Sequence, residues 1–515
     1  MNGAQSLVRT LLNGGVDVCF TNPGTSEMHF VAALDQHPEM KCVLCLFEGV
    51  ATGAADGYAR MTGKPAATLL HTGPGLANGL ANLHNAKRAF TPLVNIVGDH
   101  ATYHLQQDSP LTSDIPALAG LFSHWVKSAQ TAAEVAACGA EAIAVARTEP
   151  GQIASLILPA DTAWNDAEGP AEVPPIPQPA KVPSAQIDAV AEILKSGEPT
   201  AFMMSSHALM EDSLLAAGRI KAAIPGLRLI TQTSNRRIER GEGRVTVERL
   251  AYPVDDVIAQ LAGLKHLVLV GAKEPVAFFA YPNKPGCLVP DGCELHQLAG
   301  RDEDMLAAIE ALAERLGAAS DAAVLQPLNL PPLPTGALTA EAIGAAVAHL
   351  LPEDAIVVDE AVTSGRMLAP ITAGARRHSW LQLTGGAIGD GLPMSVGAAI
   401  ACPDRKVVTL QADGSALYTL QALWTQAREN LDITTVIFNN RAYKILQGEM
   451  KGVGAAAPGR NARDMLELDR PALDWLALAK GMGVTAKQAR DAETFAALLA
   501  EGLAHPGPFL IDAVL

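Results

Sequence analysis

Positive charge is scarce in this chain of 515 residues: 38 Lys and Arg stand against 54 Asp and Glu, a net charge of −16. That balance argues against nucleic acid or an anionic membrane surface as the partner. Long apolar runs are missing too. No stretch approaches the roughly 18 uninterrupted apolar residues of a transmembrane helix. The first residues show neither a basic n-region nor an apolar h-region, so no signal peptide is expected. The seven cysteines are odd in number and lack framework spacing, which suits a reducing cytoplasm. Cys42 and Cys45 formally make a Cys-x-x-Cys pair, but they sit in an apolar run (42–47) read as a strand and are expected to be core cysteines. Short repeats and low-complexity segments are absent. So is a Gly-x-Gly-x-x-Gly after a first strand with a downstream acid, which speaks against a nicotinamide dehydrogenase.

What is present describes a well-buried globular enzyme, with 49% hydrophobic and 18% charged residues. The length suggests about three domains. Two proline-rich stretches, 170–183 and 327–334, read as exposed linkers. The expected units are therefore 1–168, 184–326 and 337–515. In the first, helical patterns (4–13, 49–60, 76–88) alternate with strand patterns (16–20, 42–47, 65–71, 92–97, 152–158), which indicates a parallel sheet. The turn cluster 21–27 follows the first strand, and Glu48 ends the second.

The most informative stretch runs from Val407 to Tyr443. Residues 407–410 read as a buried strand, 412–415 as a tight turn, 416–430 as a helix and 433–438 as a second strand. This is a βαβ unit with polar groups at the carboxyl ends of both strands, where open α/β sheets bind ligands. Asp413 offers a carboxylate, Asn440 an amide oxygen and Ala442 a backbone carbonyl, a set that suits Mg²⁺. The amides of Gly414 and Ser415 open the helix and could seat a diphosphate. A lone Asp-Gly-Ser would read as an ordinary turn with a helix-capping Asp; Asn439-Asn440 at this distance tips the reading.

Asp413-Gly414, the 24 residues 415–438 and then Asn439-Asn440 resemble the thiamine diphosphate (ThDP) motif, with Ala412 in place of its first Gly. A second segment, Leu46-Phe47-Glu48-Gly49 with Ala54-Ala55-Asp56-Gly57-Tyr58-Ala59-Arg60, resembles the family's cofactor-activating region. The resemblance implies that Glu48 lies beside N1′ of the aminopyrimidine and promotes loss of the C2 proton. A third, Thr384-Gly385-Gly386-Ala387-Ile388-Gly389-Asp390-Gly391, resembles the loop that grips the aminopyrimidine. By position, the Gly386 carbonyl would accept from the 4′-amino group and Ile388 would wedge beneath the bent cofactor. Asp390 stands where an apolar residue is common. Thr363 and Ser364 match positions that commonly contact the diphosphate, and Tyr443 is counted with the cofactor-binding residues.

Together these segments resemble the ThDP-dependent 2-oxo acid decarboxylase and acetolactate synthase superfamily. The implied architecture is three α/β domains with parallel sheets: pyrimidine-binding, central and diphosphate-binding. The cofactor would lie between two chains, making a homodimer the minimum unit and a tetramer the expected one. The amino-terminal part looks closest to benzoylformate decarboxylase. There Thr25, in Asn22-Pro23-Gly24-Thr25-Ser26-Glu27, would replace the active-site serine, and His71 would be a catalytic histidine. The second histidine of that enzyme should come from 271–281, which has none; Phe278 and Phe279 there are read as core packing rather than pocket wall. The segment from Gly98-Asp99-His100 to Thr112 looks more like acetolactate synthase-like proteins, whose central domain often carries FAD, left open here. Residues 447–469 are expected to form a lid.

The activity so implied is decarboxylation or carboligation of a 2-oxo acid with a carbonyl acceptor, acetolactate synthase-like. The alternatives are an aryl 2-oxo acid decarboxylase or 2-hydroxyacyl lyase, and a non-catalytic ThDP-binding relative.

Overall fold

Runs of Val, Ile and Leu with no polar alternation need cover on both faces, and the chain provides it by placing helices between parallel strands. The computed structural model describes residues 1–515 except 322 and 456. Strands β1 (Val18–Asn22), β2 (Lys41–Leu44), β3 (Ala66–His71), β4 (Leu93–Asp99), β5 (Trp125–Ser128) and β6 (Ile153–Pro159) form a parallel sheet in the order β2-β1-β3-β4-β6-β5. Its centre is dry: every residue of β4 and β6 is buried. A five-stranded sheet follows. It contains β7 (Thr200–Met204), β8 (Arg228–Thr231), β10 (Glu248–Arg249), β11 (His266–Val270) and β12 (Glu294–Ala299), in the order β10-β8-β7-β11-β12. The third sheet takes β13 (Ala355–Glu360), β14 (His378–Gln382), β15 (Val407–Ala412), β16 (Ile433–Asn439), β17 (Thr485–Ala489) and β18 (Phe509–Val514). Its edge is completed by β9 (Ile238–Arg240), which pairs antiparallel with β14 although it comes from the middle of the chain. Both proline-rich stretches lie largely outside regular elements.

The first and third sheets are joined through two helices of small residues. Helix Glu48–Thr62 is buried along nearly its whole length, and it packs on helix Gly391–Ala401. A Cβ on Gly57 would fall 2.1 Å from the Met394 carbonyl oxygen, and one on Gly397 would fall 1.8 Å from that of Ala54. The two backbones touch, so only glycine fits either position. Arg60 pins the seam. It is buried and bonds Asp56 at 2.8 Å, the Gln382 carbonyl at 2.7 Å, Thr384 Oγ1 at 3.1 Å and the Arg236 carbonyl at 3.3 Å.

Several expected boundaries move. Strand β2 stops at Leu44, so Glu48 does not end a strand but opens the helix Glu48–Thr62, with Phe47 as its extended N-cap. Cys45 is buried but Cys42 is exposed on the edge strand, so only one of the pair is a core cysteine. Helix Thr72–Ala89 starts directly after β3 and absorbs the 72–75 turn, since Pro74 is tolerated in a first turn. The expected helix 416–430 is broken into Asp413–Ala416 and Ala422–Arg428. The break falls where the Thr419 hydroxyl donates to the Gly389 carbonyl at 2.9 Å, so the Gly-rich loop interrupts the helix. Phe278 and Phe279 are not core residues: they are 53% and 56% exposed, edge-to-face at 4.9 Å. Residues 447–469 contain the helix Arg460–Leu466 and most of Lys444–Gly452; Ala456 lies outside the described residues.

Candidate active site

Polar groups collect at the carboxyl ends of the first and third sheets. At the first, β3 ends in His71, and the 3-10 helix Thr25–Glu27 after β1 packs against it. His71 Nδ1 lies 3.0 and 3.2 Å from the carboxylate oxygens of Glu27 and 3.1 Å from Ser26 Oγ. Ser26 also donates to Glu27, whose other oxygen accepts from the Gly24 amide at 2.7 Å. Gly24 is required there: a Cβ would sit 2.1 Å from the His71 ring. Glu27 is buried, and Gly98 leaves room for its carboxylate. Thr25 lines the cavity, but the hydroxyl that reaches His71 is that of Ser26.

Beside this trio is a cavity of about 280 Å³ lined by Thr25, Ser26, His71, His100, His104 and Tyr103, among others. Two further histidines reach this cavity from just after β4. His100 and His104 stack with centroids 5.8 Å apart, and His100 Nε2 is 3.2 Å from Ser109 Oγ. Their i, i+4 spacing just after β4 is the signal that sequence reasoning passed over.

Glu48 is buried at the start of its helix. Its Oε2 accepts from Asn78 Nδ2 at 3.0 Å, and Oε1 points past Gly75, where a Cβ would come within 3.3 Å. All these partners come from the amino-terminal part. Among the described residues no hydrogen bond joins Glu48 to the cluster at the third sheet.

That cluster sits at the ends of β15 and β16, held level by the pairing of Ala412 with Phe438. Asp413 Oδ2 accepts from the Arg441 amide at 2.6 Å and Oδ1 from the Gly414 amide at 2.9 Å. Asn440 Oδ1 accepts from the Ala442 amide at 3.0 Å. The structure thus brings Asp413, Asn440 and Ala442 into one turn. Burial pushes the Asp413 carboxyl up to about 6, against the pull of those amides. Ser415 Oγ donates to the Ala412 carbonyl at 3.0 Å and accepts from Gln411 Nε2 at 2.5 Å. The Tyr443 ring covers Gly414, at 2.5 Å from where a Cβ would stand. Thr363 and Ser364 lie in the turn after β13, and the buried Thr363 Oγ1 finds no hydrogen-bond partner among the described residues.

The Gly-rich loop is held from two sides. Glu360, the last residue of β13, is 2% exposed. Its carboxylate accepts from the amides of Gly389 (2.7 Å), Asp390 (3.4 Å) and Gly391 (2.7 Å) and from Gln411 Nε2 (2.9 Å). From helix Thr72–Ala89, Asn85 bonds both the carbonyl (2.7 Å) and the amide (3.1 Å) of Ala387, and Asn82 reaches the Gly389 carbonyl at 3.2 Å. Ile388 is thereby fixed between clamped neighbours. Gly386 has φ +77°, and a Cβ there would meet the Phe278 ring at 2.8 Å. Glu360, Asn82 and Asn85 were not picked out from the sequence. Asp390 is fully buried, neither carboxylate oxygen has a hydrogen bond among the described residues, and Arg60 Nη2 is 3.9 Å away. Burial and the nearby Asp56 and Glu360 push its carboxyl upward, opposed by Arg60.

Comparison with known proteins adds an independent line. Residues 1–118 match the model of the thiamine pyrophosphate enzyme N-terminal TPP binding domain, and residues 363–513 that of the C-terminal TPP binding domain. The chain is 54% identical over 521 aligned positions to the Mycobacterium tuberculosis protein named "Putative acetolactate synthase large subunit IlvX", covering 100% of this chain and 99% of the other. It is 28% identical to benzoylformate decarboxylase of Pseudomonas aeruginosa over 97% of this chain and 96% of the relative. The fold matches a thiamine diphosphate-dependent 4-hydroxybenzoylformate decarboxylase of Rhodococcus jostii RHA1 with a TM-score of 0.87, at 25% identity and 100% and 99% coverage.

Proposed function

The chain belongs to the thiamine pyrophosphate enzyme family, as an enzyme of the acetolactate synthase and benzoylformate decarboxylase type, and on that premise we propose that it decarboxylates a 2-oxo acid and joins the product to a carbonyl acceptor. The observation that carries the acetolactate synthase-like reading is the full-length likeness to the mycobacterial relative. The three units 1–168, 184–326 and 337–515 are taken as pyrimidine-binding, central and diphosphate-binding domains. FAD has no support and is left out. Seven unbridged cysteines support a cytoplasmic setting; among the described residues no helix is long and apolar enough to cross a membrane.

The residues present fit ThDP with Mg²⁺. The buried Asp413 carboxylate has no cationic side chain against it among the described residues, and burial raises its pKa to about 6. A hard cation among Asp413, Asn440 and the Ala442 carbonyl would supply the missing charge. Thr363, Ser364, Gly414 and Ser415 would hold the diphosphate, with Tyr443 alongside, and the unpartnered Thr363 hydroxyl is available for it. The Gly386 carbonyl and the Ile388 side chain would receive the aminopyrimidine. When bound, ThDP supplies a nucleophilic carbon and an electron sink for the departing carboxylate.

The protein's own part is proton management and positioning. Glu48, desolvated and steered by Asn78, would hold a proton at the aminopyrimidine when the cofactor is bound. Glu360, Asn82 and Asn85 keep Gly386 and Ile388 in register with it. No hydrogen bond joins Glu48 to Asp413 among the described residues, and the complete site is assigned to two copies, in a homodimer or tetramer. Residues 447–469 serve as the lid.

A second reading is favoured by one observation: His71, His100 and His104 share a cavity. Such a set can relay protons, as a decarboxylase of an aryl 2-oxo acid or a 2-hydroxyacyl lyase requires. Product analysis of the ThDP-Mg²⁺ enzyme with pyruvate or benzoylformate, with and without an added aldehyde, separates the two. Acetolactate or a mixed 2-hydroxy ketone supports carboligation. Free aldehyde and CO₂ alone overturn it in favour of decarboxylation.

A further inference from the structure

Away from these strand ends, the five-stranded sheet carries two histidines and two carboxylates on one face. His266 and Glu294 are the first residues of β11 and β12 and are paired in register; His296 lies two residues on, opposite Val268. The two-residue spacing puts Glu294 and His296 on the same face of β12. On the other side Thr200 of β7 pairs with His266, and Glu198 precedes it by two residues. His266 Nε2 is 3.0 Å from Glu198 Oε2, and His266 Nδ1 is 3.0 Å from His296 Nε2. Glu294 Oε2 stands 3.7 Å from each of those two facing nitrogens.

The distances are informative because Glu294 is too far from either nitrogen for a hydrogen bond, yet equidistant from both. A hydrogen bond would favour one nitrogen; a shared cation favours neither. Ligands held at 2.0–2.1 Å by a tetrahedral zinc lie about 3.3 Å from one another. The observed triangle has edges of 3.0, 3.7 and 3.7 Å, on either side of that value. Glu198 completes the pattern from behind. By accepting from Nε2–H it fixes the tautomer that leaves the Nδ1 lone pair facing the triangle, as carboxylates do behind metal-bound histidines. Charge points the same way. Among the described residues no Lys or Arg pairs with Glu198 or Glu294.

We propose that His266 Nδ1, His296 Nε2 and the Glu294 carboxylate form a site for a borderline transition-metal ion, zinc first, with Glu198 orienting His266. Two imidazoles and one carboxylate select zinc, copper or nickel over the hard Mg²⁺. Glu294 is 71% exposed, which leaves the site open to solvent for entry and for a water as fourth ligand. The site lies at the amino-terminal ends of its strands and would clip the edge strand β12 to β11, a structural role separate from the ThDP chemistry.

The test uses the full-length protein stripped with EDTA, reloaded with ThDP and Mg²⁺, and titrated with ZnCl₂ by calorimetry. One zinc per chain should bind with a micromolar or tighter Kd in the presence of millimolar Mg²⁺ and raise the unfolding temperature. X-ray absorption should show two imidazoles in the zinc shell. His296→Ala and Glu294→Gln should each weaken that site at least tenfold while leaving turnover of the metal-stripped, Mg²⁺-loaded enzyme unchanged. Absence of stoichiometric zinc binding, a shell without paired imidazoles, or equal affinity in His296→Ala would overturn the assignment.

Discussion

At the first sheet's carboxyl ends the polar side chains bond mainly to one another; at the third sheet's they bond mainly to backbone amides. His71, Ser26 and Glu27 bond to one another through their side chains, with the Gly24 amide as the one backbone donor to Glu27. Asp413, Asn440 and Glu360 are instead tied to amides of Gly414, Arg441, Ala442, Gly389 and Gly391. Amide donors cannot titrate or swing, so they fix oxygen atoms in space and the glycine-rich chain around them. Under the proposed function the same architecture would supply a proton-handling end and a holding end, and the difference lies in what the carboxylates accept from.

Four substitutions test that contrast. The largest effect is expected from Glu48→Gln, which keeps the Asn78 contact but removes the acidic proton. Turnover should fall about 10²–10⁴-fold with ThDP affinity within a few-fold; near-normal turnover would sink the proton-handling role. Glu360→Ala should come next. It strips three loop amides and Gln411 of their buried acceptor, and each unpaired group costs about 1–3 kcal/mol. A stability loss above about 3 kcal/mol in denaturant unfolding is expected, with weaker ThDP binding. If Glu360→Ala unfolds like the parent, the holding end does not depend on this clamp. His71→Gln should cost about 10²-fold in turnover, or about 2.7 kcal/mol, and flatten the pH–rate profile while leaving the unfolding midpoint unmoved. A parallel fall in stability would place His71 with the holding groups.

The smallest effect, and the one of opposite sign, is Asp390→Asn. The folded carboxyl is raised above its unfolded value by burial, Asp56 and Glu360. For an acid, that means the folded state binds the proton more tightly. Stability therefore drops as pH rises from about 4 towards the folded value. The neutral amide escapes that penalty, so Asp390→Asn should be more stable than the parent by about 1 kcal/mol at neutral pH, with the advantage gone below pH of about 4. An advantage independent of pH would mean that the Asp390 carboxyl titrates alike in the folded and unfolded states, against the upward shift argued from its burial.

The legible parts of the site were the local ones. Asp413 and Asn440 belong to one βαβ unit, so chain order alone puts them at neighbouring strand ends. Glu360 was illegible because its partners are 29 to 31 residues away in a loop whose course the sequence does not state. The bond from Ser26 to His71 was not legible either, because a 3-10 turn sets which hydroxyl faces the ring. The break in the 416–430 helix needed the Gly389 carbonyl to be in place before Thr419 could bond it.

By itself the sequence determined the alternation of helix and strand, the family, and the residue types at each strand end, because periodicity and short motifs are encoded within a few turns of chain. Only the tertiary structure decided which carboxylates are clamped, which are left bare, and which histidines share a cavity. Those depend on contacts between segments far apart in the chain, such as Glu360 with the Gly389 and Gly391 amides, and on the seam where Gly57 and Gly397 let two backbones touch.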